Sequence, residues 1–453
     1  MSSARRDFFL FLLMLAHTLL ASALFVEPCV DWSSAGLSST SHEYKDQELQ
    51  TLPLEELYVN AGIMTVRQRL WVQTGNSGDY SLGFNIGLFK RAKAAGIKRL
   101  YLDVFLSDTW TDPAQTRGPA VWTSMIREEG VSWLEKTVQD YFGHVMRSLV
   151  RAGVAPQIIS IGNEVTPGPF GKIGRLSKSN PRGAENTAMI FKAASRAIRG
   201  VDETVKILIH THNAWDTALQ TFFYEQILES GIFVGNALGV HRTSHKNTEQ
   251  QCLLSLFLAS SFSRRQTTKD FDLIGLSFYP AQDPSATQAN LAATIRALRA
   301  RYGKPVNIVE FGWPQACASR AKFASDVRHV RASPLGQAHM IRVTKATIKR
   351  ATRGQKENPL LCLWEVAWLD NPTLGSGCSN SLMFSPDGTA LEGVYALAAH
   401  GHNGRDMGRG MGRGMRRDRD RRMIRGKRRD RRPISAPFRK PHARQGQGRS
   451  GRH

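Results

Sequence analysis

Ile158-Ile159-Ser160-Ile161-Gly162-Asn163-Glu164 is the stretch on which the reading of this chain turns. A short run of mostly β-branched residues reads as a buried strand, the glycine ends it, and a carboxylate follows at once. The pattern returns at Val306-Asn307-Ile308-Val309, which is followed by Glu310. At the rim of one pocket, two such carboxylates are the minimal machinery for cutting a glycosidic bond. One protonates the leaving oxygen while the other attacks the anomeric carbon or activates water. The residue types alone also allow each glutamate to be a buried salt-bridge partner.

Further short apolar runs flank these two. Strand candidates are Thr65–Val72, Arg99–Phe105, Gln157–Ile161, Lys206–His210, Leu273–Phe278, Val306–Val309 and Leu360–Trp364, with an earlier one at Phe25–Trp32. Amphipathic stretches alternate with them: Leu82–Ala95, Ser132–Ala152, Asn186–Arg199, Ala289–Tyr302 and Gly336–Arg350. Gly96 and Gly153 stand where helices would close. Strands alternating with helices over this length predict an α/β chain folded as a single (β/α)8 TIM barrel, with an open doubly wound sheet as the rival. No Gly-x-Gly-x-x-Gly or phosphate-binding loop follows a strand candidate, which counts against a nucleotide-binding sheet.

In a barrel, chemistry sits at the carboxyl ends of the strands. The polar and aromatic residues fall there in order: Asp108 and Trp110 after the third strand, Asn163 and Glu164 at the fourth, His210 and Asn213 at the fifth. Tyr279 follows at the sixth, Glu310 at the seventh, and Trp364-Glu365 at the eighth. Strands four and seven would set Glu164 and Glu310 across the mouth. Carboxyls about 5–5.5 Å apart there would mean retention of configuration.

The formal charge of +23 misleads as a single figure. Residues 401–453 hold 19 Lys and Arg against Asp406, Asp418, Asp420 and Asp430, a net of +15, which leaves +8 on the first 400 residues. This Arg/Gly-rich segment has few large apolar residues and is expected to be a disordered tail. Its single aromatic, Phe438, argues against binding nucleic acid by stacking. Residues 1–23 read as a secretory signal peptide: Arg5 and Arg6, an apolar stretch Phe8 to Leu20, and Ala21-Ser22-Ala23. A secreted, extracellular protein is therefore expected, with residues 24–400 as its folded domain. None of the five cysteines (Cys29, Cys252, Cys317, Cys362, Cys378) forms a Cys-x-x-Cys pair, so no zinc site is expected. One bridge, Cys317 to Cys378, is expected between loops, and Cys362, within an apolar run, is read as a buried thiol.

The chain resembles glycoside hydrolase family 53, the arabinogalactan endo-β-1,4-galactanases, and fungal members in particular. The resemblance rests on Val30-Asp31-Trp32-Ser33-Ser34, Thr65 through Val72 (Thr-Val-Arg-Gln-Arg-Leu-Trp-Val), Ser107-Asp108-Thr109-Trp110-Thr111-Asp112-Pro113, and Ile159 through Glu164. It continues in Phe271 through Pro280 and Trp364-Glu365-Val366-Ala367-Trp368, covering about residues 26–397. It implies a retaining clan-A barrel that works as a monomer on a polysaccharide, without metal or organic cofactor. By the same resemblance Glu164 is the acid/base, Glu310 the nucleophile, and Asn163 the partner of the sugar 2-hydroxyl. Arg67, His210, Tyr279 and Trp364 then surround the sugar being cleaved, and Asp108, Trp110 and Asn213 complete the substrate-binding set.

The chain also departs from that pattern. Val104-Phe105-Leu106 stands where the family has Phe-His-Tyr, and Pro167-Gly168-Pro169-Phe170-Gly171 replaces a stretch carrying Leu-Trp-Pro. His212 falls where Asp or another residue is usual, and Phe311-Gly312-Trp313-Pro314 follows Glu310. Two alternatives to a galactanase stay open: a clan-A glycosidase of shifted β-glycan specificity, and a non-catalytic carbohydrate- or nucleic-acid-binding barrel. Residues 234–270 form an atypical insertion, either a surface loop or translated intron sequence. The basic tail is expected to hold the protein on acidic pectin if it has a role.

Overall fold

The computed structural model describes residues 25–37, 42–74, 78–177, 179–230, 232, 270–371 and 377–398. The expected signal peptide, almost all of the insertion (through residue 269) and the expected tail lie outside the described residues.

Eight parallel strands close into a barrel in chain order: β1 Glu27–Asp31, β2 Thr65–Leu70, β3 Arg99–Val104, β4 Ile158–Ile161, β5 Lys206–Thr211, β6 Leu273–Phe278, β7 Val306–Phe311 and β8 Leu360–Leu363. The expected (β/α)8 barrel is the observed fold. The strands are buried along nearly their whole length, which is why β4, β6 and β7 read as mostly apolar runs rather than as alternating ones, while β2, Thr-Val-Arg-Gln-Arg-Leu, is equally buried with polar side chains. Nine helices are described: α1 Leu54–Ala61, α2 Leu82–Ala95, α3 Ala120–Glu129, α4 Val131–Arg151, α5 Pro181–Val201, α6 Thr217–Glu229, α7 Gln288–Tyr302, α8 Pro334–Ala351 and α9 Glu392–Ala398. Several starts are fixed by side-chain caps. Ser81 accepts from Phe84 N, Asp216 from Leu219 N, Thr287 from Asn290 N and Ser333 from Gly336 N. Left-handed Gly62, Gly96 and Gly303 end α1, α2 and α7.

The barrel has two cores. Outward strand residues such as Val66, Leu102, Ile159, Ile209, Ile274, Ile308 and Leu361 pack against the helices. A smaller inner layer holds Cys29, Tyr101, Ile158, Leu208, Leu273, Val309, Leu360 and Cys362. Each such fully buried aliphatic side chain contributes roughly 1.5–3 kcal/mol. Gly275 belongs at this level: a Cβ there would run into the Leu208 side chain and come within 3.0 Å of Val309. Two residues further along β1 to β5, the inward positions become polar: Asp31, Arg67 (after Thr65), Asp103, Ser160 and His210, all buried. The chemistry therefore stands on an apolar plug.

Cys29 and Cys362 are bonded to each other, which corrects the reading of Cys362 as a free thiol. The reason is topological: closing the barrel lays β1 beside β8, and the two cysteines become register partners although 333 residues separate them. Cys317 pairs with Cys378 as expected.

Candidate active site

Strand β7 carries an irregularity that sets the position of Glu310. Strict alternation from the outward Val306 and Ile308 would send Glu310 outward too. The register instead shifts against both neighbours. Leu276 pairs with Ile308 but Ser277 with Glu310, and Leu361 pairs with Ile308 but Leu363 with Phe311. This bulge leaves Val309 in the inner layer, turns Glu310 to the mouth, and returns Phe311 to the outer core. Glu310 thus lies inside the strand, one residue before its end, rather than beyond it as the sequence reading had it.

Both oxygens of Glu310 are held. Arg67 Nη2 donates to Oε1 at 2.8 Å and the Tyr279 hydroxyl donates to Oε2 at 2.8 Å. Arg67 is fully buried and also donates to Asp31 at 2.5 Å, to Asn163 at 3.0 Å and to Asp103. Burial opposes its charge, but Asp103, Glu310 and Asp31 outweigh that and hold the guanidinium well above its usual range. Asp103, His210 and Glu310 offer ligand atoms within 4.8 Å of one another, and Arg67 bonds both of these carboxylates, so a fixed cation already serves the cluster.

Glu164 reaches the same cavity from β4. Gly162 and Glu164 both have left-handed backbones, with φ of 86° and 44°. A glycine accepts that conformation freely, whereas for Glu164 it costs on the order of 1–3 kcal/mol. Val165 N donates to His210 O at 2.9 Å and holds the turn against β5. Burial, and then the charge of Glu310, push the Glu164 carboxyl up to about 7, against His210, Ser277 and Arg67, which favour its ionised form. Tyr279 is pushed well above its ordinary value by burial and by the two glutamates, so it stays a donor. One carboxyl is thus kept protonated near neutrality, and its partner is clamped by a guanidinium and a phenol. Unlike environments for two carboxyls separate an acid from a nucleophile.

The cavity has a volume of about 400 Å³. Of the residues expected at the site, Glu164, Glu310, Trp110, Asn213, Tyr279 and Trp364 line it. Trp110 and Trp364 meet edge to face with centroids 5.6 Å apart. Arg67, Asn163 and His210 lie just beneath: Asn163 joins Arg67 to Thr111 O at 2.9 Å, and His210 Nε2 is 2.8 Å from Ser277 Oγ. Asp108 stands apart from this lining. Its oxygens accept from the backbone amides of Gln73 (3.0 Å) and Ala120 (2.8 Å), so it ties loops together and does not line the cavity.

Several wall residues carried no role in the sequence reading: Asp112, His212, Trp215, Ser277, Gln282, Glu365 and Ser381. Glu365 carried a signal, a carboxylate straight after an apolar run, as in Asn163-Glu164. It is buried, accepts from Ser34 Oγ at 2.5 Å, and lies 2.6 Å from Arg69 Nη1. Burial pushes its carboxyl to about 7, with Arg69 pulling down and Asp31 adding to the rise. Burial and His210 push the His212 imidazole down to about 4, so it is neutral over the working range of most proteins. Of the departing segments, His212 and Gly312 line the cavity, whereas Phe105 packs behind the wall residue Trp110 at 5.7 Å and Phe170 stacks on Trp122 at 6.2 Å.

A parallel barrel with two carboxyls of opposed character at one mouth defines a glycoside hydrolase. The family model of glycosyl hydrolase family 53 matches residues 29–239 and 240–397, and the chain belongs to that family. An arabinogalactan endo-β-1,4-galactanase of Thermothelomyces thermophilus is 33% identical over 372 residues, covering 81% of this chain and 96% of the relative. One from Humicola insolens is 32% identical over 369 residues, with 81% and 96% covered. A solved structure from a study of two fungal β-1,4-galactanases superposes with a TM-score of 0.67 at 31% identity, covering 82% of this chain and 99% of its own.

Proposed function

We propose that this chain is a secreted, retaining endo-β-1,4-galactanase that cuts β-1,4-galactosidic bonds within the galactan and arabinogalactan side chains of pectin. The supporting observation is the unequal pair. Glu164, held near 7, suits a general acid, and Glu310, clamped by Arg67 and Tyr279, suits a nucleophile. Protonation by Glu164 releases the leaving sugar as Glu310 forms a glycosyl ester. Glu164, now a carboxylate, then takes a proton from the water that cleaves the ester. Secretion is read from the leader at residues 1–23, and the galactan substrate from the named relatives.

The test is incubation of the full chain with a panel of plant polysaccharides, beside Glu164→Ala and Glu310→Ala. Galacto-oligosaccharides released by the parent alone, with the β-anomer appearing first by proton NMR, are the expected result; the α-anomer first would replace retention by inversion. A second reading, a clan-A glycosidase of shifted β-glycan specificity, is favoured by Phe170, which stacks on Trp122 where the family pattern supplies a tryptophan for sugar. Activity confined to another β-glycan would select it.

A further inference from the structure

The net charge of +8 on the first 400 residues is spread very unevenly. Residues 288–356, from the start of α7 to the turn before β8, hold 14 Lys and Arg against Glu310 and Asp326, a net of +12. The other 331 residues therefore carry −4. Glu310 is buried and already bonded to Arg67, so it offsets nothing at the surface. Helix α8 contains no acidic residue at all. Its exposed positions Leu335, His339, Arg342, Ala346 and Lys349 fall alternately four and three apart, which makes one outward stripe. Arg342 and Lys349 stand on that stripe about 10 Å apart along the axis. Arg350 flanks it, and Arg353 continues it past the helix end. Among the described residues, none of these four cations makes an ion pair. The loop from β7 into α8 adds Arg320, Lys322, Arg328 and Arg331, all exposed. That loop borders the active site, because Cys317, three residues before Arg320, is bonded to Cys378 of the cavity wall. Barrel helices run back from the mouth to the base, so the charge forms a band from the rim of the cavity down α8 to Arg353 and Lys356.

We propose that this band is a second binding surface, which holds an acidic polysaccharide, a polyuronate chain, beside the cavity where the glycan is cut. The identity of the polymer rests on the polysaccharide reading given above; the charge of the surface does not. Helix electrostatics do not account for the band. The macrodipole favours Lys349 and Arg350 in the last turn of α8, but it disfavours Arg328 and Arg331 ahead of the first. Like charges at Arg342 and Lys345, and at Lys345 and Lys349, three and four residues apart, also destabilise a helix. A surface that served solubility alone would mix the two signs. An anionic chain laid along the band offsets both costs. The face also selects among polyanions. All four aromatic residues of the stretch, Tyr302, Phe311, Trp313 and Phe323, are buried, and Leu335 is its one exposed large apolar side chain. It gives nucleic-acid bases nothing to stack on and a bilayer no apolar face to bury. A polymer of carboxylated sugars needs only cations at intervals along a line. Nine of the 14 cations are arginine, whose fork takes a carboxylate through two hydrogen bonds.

The test measures binding of the full chain to polygalacturonate between 50 and 200 mM NaCl. One variant combines Arg342→Gln, Lys349→Gln, Arg350→Gln and Arg353→Gln. A control variant combines Lys90→Gln, Lys98→Gln, Arg127→Gln and Arg147→Gln, which removes the same charge from exposed positions outside the band. Both keep residues 401–453, so the basic tail is constant. The band variant should bind more weakly, and its slope of log affinity on log salt should fall by about 2–3 units, at roughly 0.7 per contact for a single-stranded polyanion. The control should bind like the parent. On galactan still joined to an acidic backbone, KM at 50 mM NaCl should rise in the band variant and not in the control. Equal weakening of the two variants would assign the binding to net charge, and no weakening of either would assign it to residues 401–453; both results overturn the proposal. So would a parent that does not bind polygalacturonate, or one that prefers duplex DNA at the same salt. If the parent binds polygalacturonate through the band but cuts no galactan, the function reading falls and the surface stands. Should the fourfold variant not fold, Arg342→Gln with Arg353→Gln is read in the same way.

Discussion

Cys29 on β1 and Cys362 on β8 are paired twice, once by the hydrogen-bond register that closes the barrel and once by a disulfide. Both are fully buried in the inner apolar layer. A link across so long a loop restricts the unfolded chain more than the folded one. Replacing both by alanine is expected to lower stability by about 2–5 kcal/mol, read from guanidinium unfolding. A reductant should leave the folded parent intact and act only once denaturant opens the barrel.

Among the described residues, Arg67 is the one cation shared by Asp31, Asp103 and Glu310 beneath the cavity. Arg67→Met would leave three buried carboxylates facing one another. Removing one partner of a buried pair costs about 3–5 kcal/mol, and the unfolding midpoint should fall accordingly. Arg67→Lys keeps the charge but not the fork that reaches several acceptors at once. It should fold better than the methionine variant and still lose most of kcat on galactan.

Activity should fall on the alkaline side of about 7, where Glu164 gives up the proton it must donate. Stability should follow the same carboxyls. Glu164 and Glu365 are both raised to about 7 from an ordinary 4.5. Between those values the folded chain holds protons that the unfolded chain has released, so stability falls as pH rises through that window. Asp103, lowered from 3.8, acts in the opposite sense and only at more acid pH. Thermal unfolding should therefore occur at a higher temperature at pH 5 than at pH 7.5, and Glu365→Gln should shrink the difference.

Trp215 is a half-buried ring of the cavity wall, packed edge-on to Phe278 at 6.3 Å and set on the loop after β5. Among the described residues it makes no hydrogen bond to either glutamate, and its use is expected to be sugar stacking equal in ground and transition states. Trp215→Ala should cost about 0.5–1.5 kcal/mol of binding, roughly two- to thirteenfold in KM, with kcat little changed. Steady-state kinetics on galacto-oligosaccharides of increasing length checks this. A fall in kcat at constant KM would assign the ring to the reacting sugar instead.

The starts of the strands at Arg99, Lys206, Leu273, Val306 and Leu360 were legible because parallel strands, buried on both faces, appear as short, mainly apolar runs. Helix α6 was not: its buried stripe begins with a glutamine, Gln220, before Phe223, Tyr224 and Ile227, so the helical period opens on a polar residue. Helix α5 begins five residues before its expected start, at a proline that suits a first helical turn. The two glutamates could be singled out because each follows an apolar run, but the direction of Glu310 could not. Sequence alternation places it on the outer face, and only the bulge reverses that. The second disulfide was hidden for a like reason, since a bond between first and last strands follows from closure and from no local pattern. Glu365 and Ser277 gain meaning only from what other strands bring to them.

The residues divided between strands and loops carry a consequence for change. Glu310, Arg67, His210 and Ser277 sit on the barrel staves themselves, and Glu164 and Tyr279 within a few residues of a stave's end. Trp110, His212, Trp215 and Gln282 stand on the connections that follow. The spacing of the reacting groups is inherited from the hydrogen-bond ladder, which cannot slip without opening the cylinder. The connections can lengthen, lose an aromatic or exchange an acid for an imidazole and leave that spacing alone. A lineage built this way can exchange one polysaccharide for another while never relearning how to break the bond.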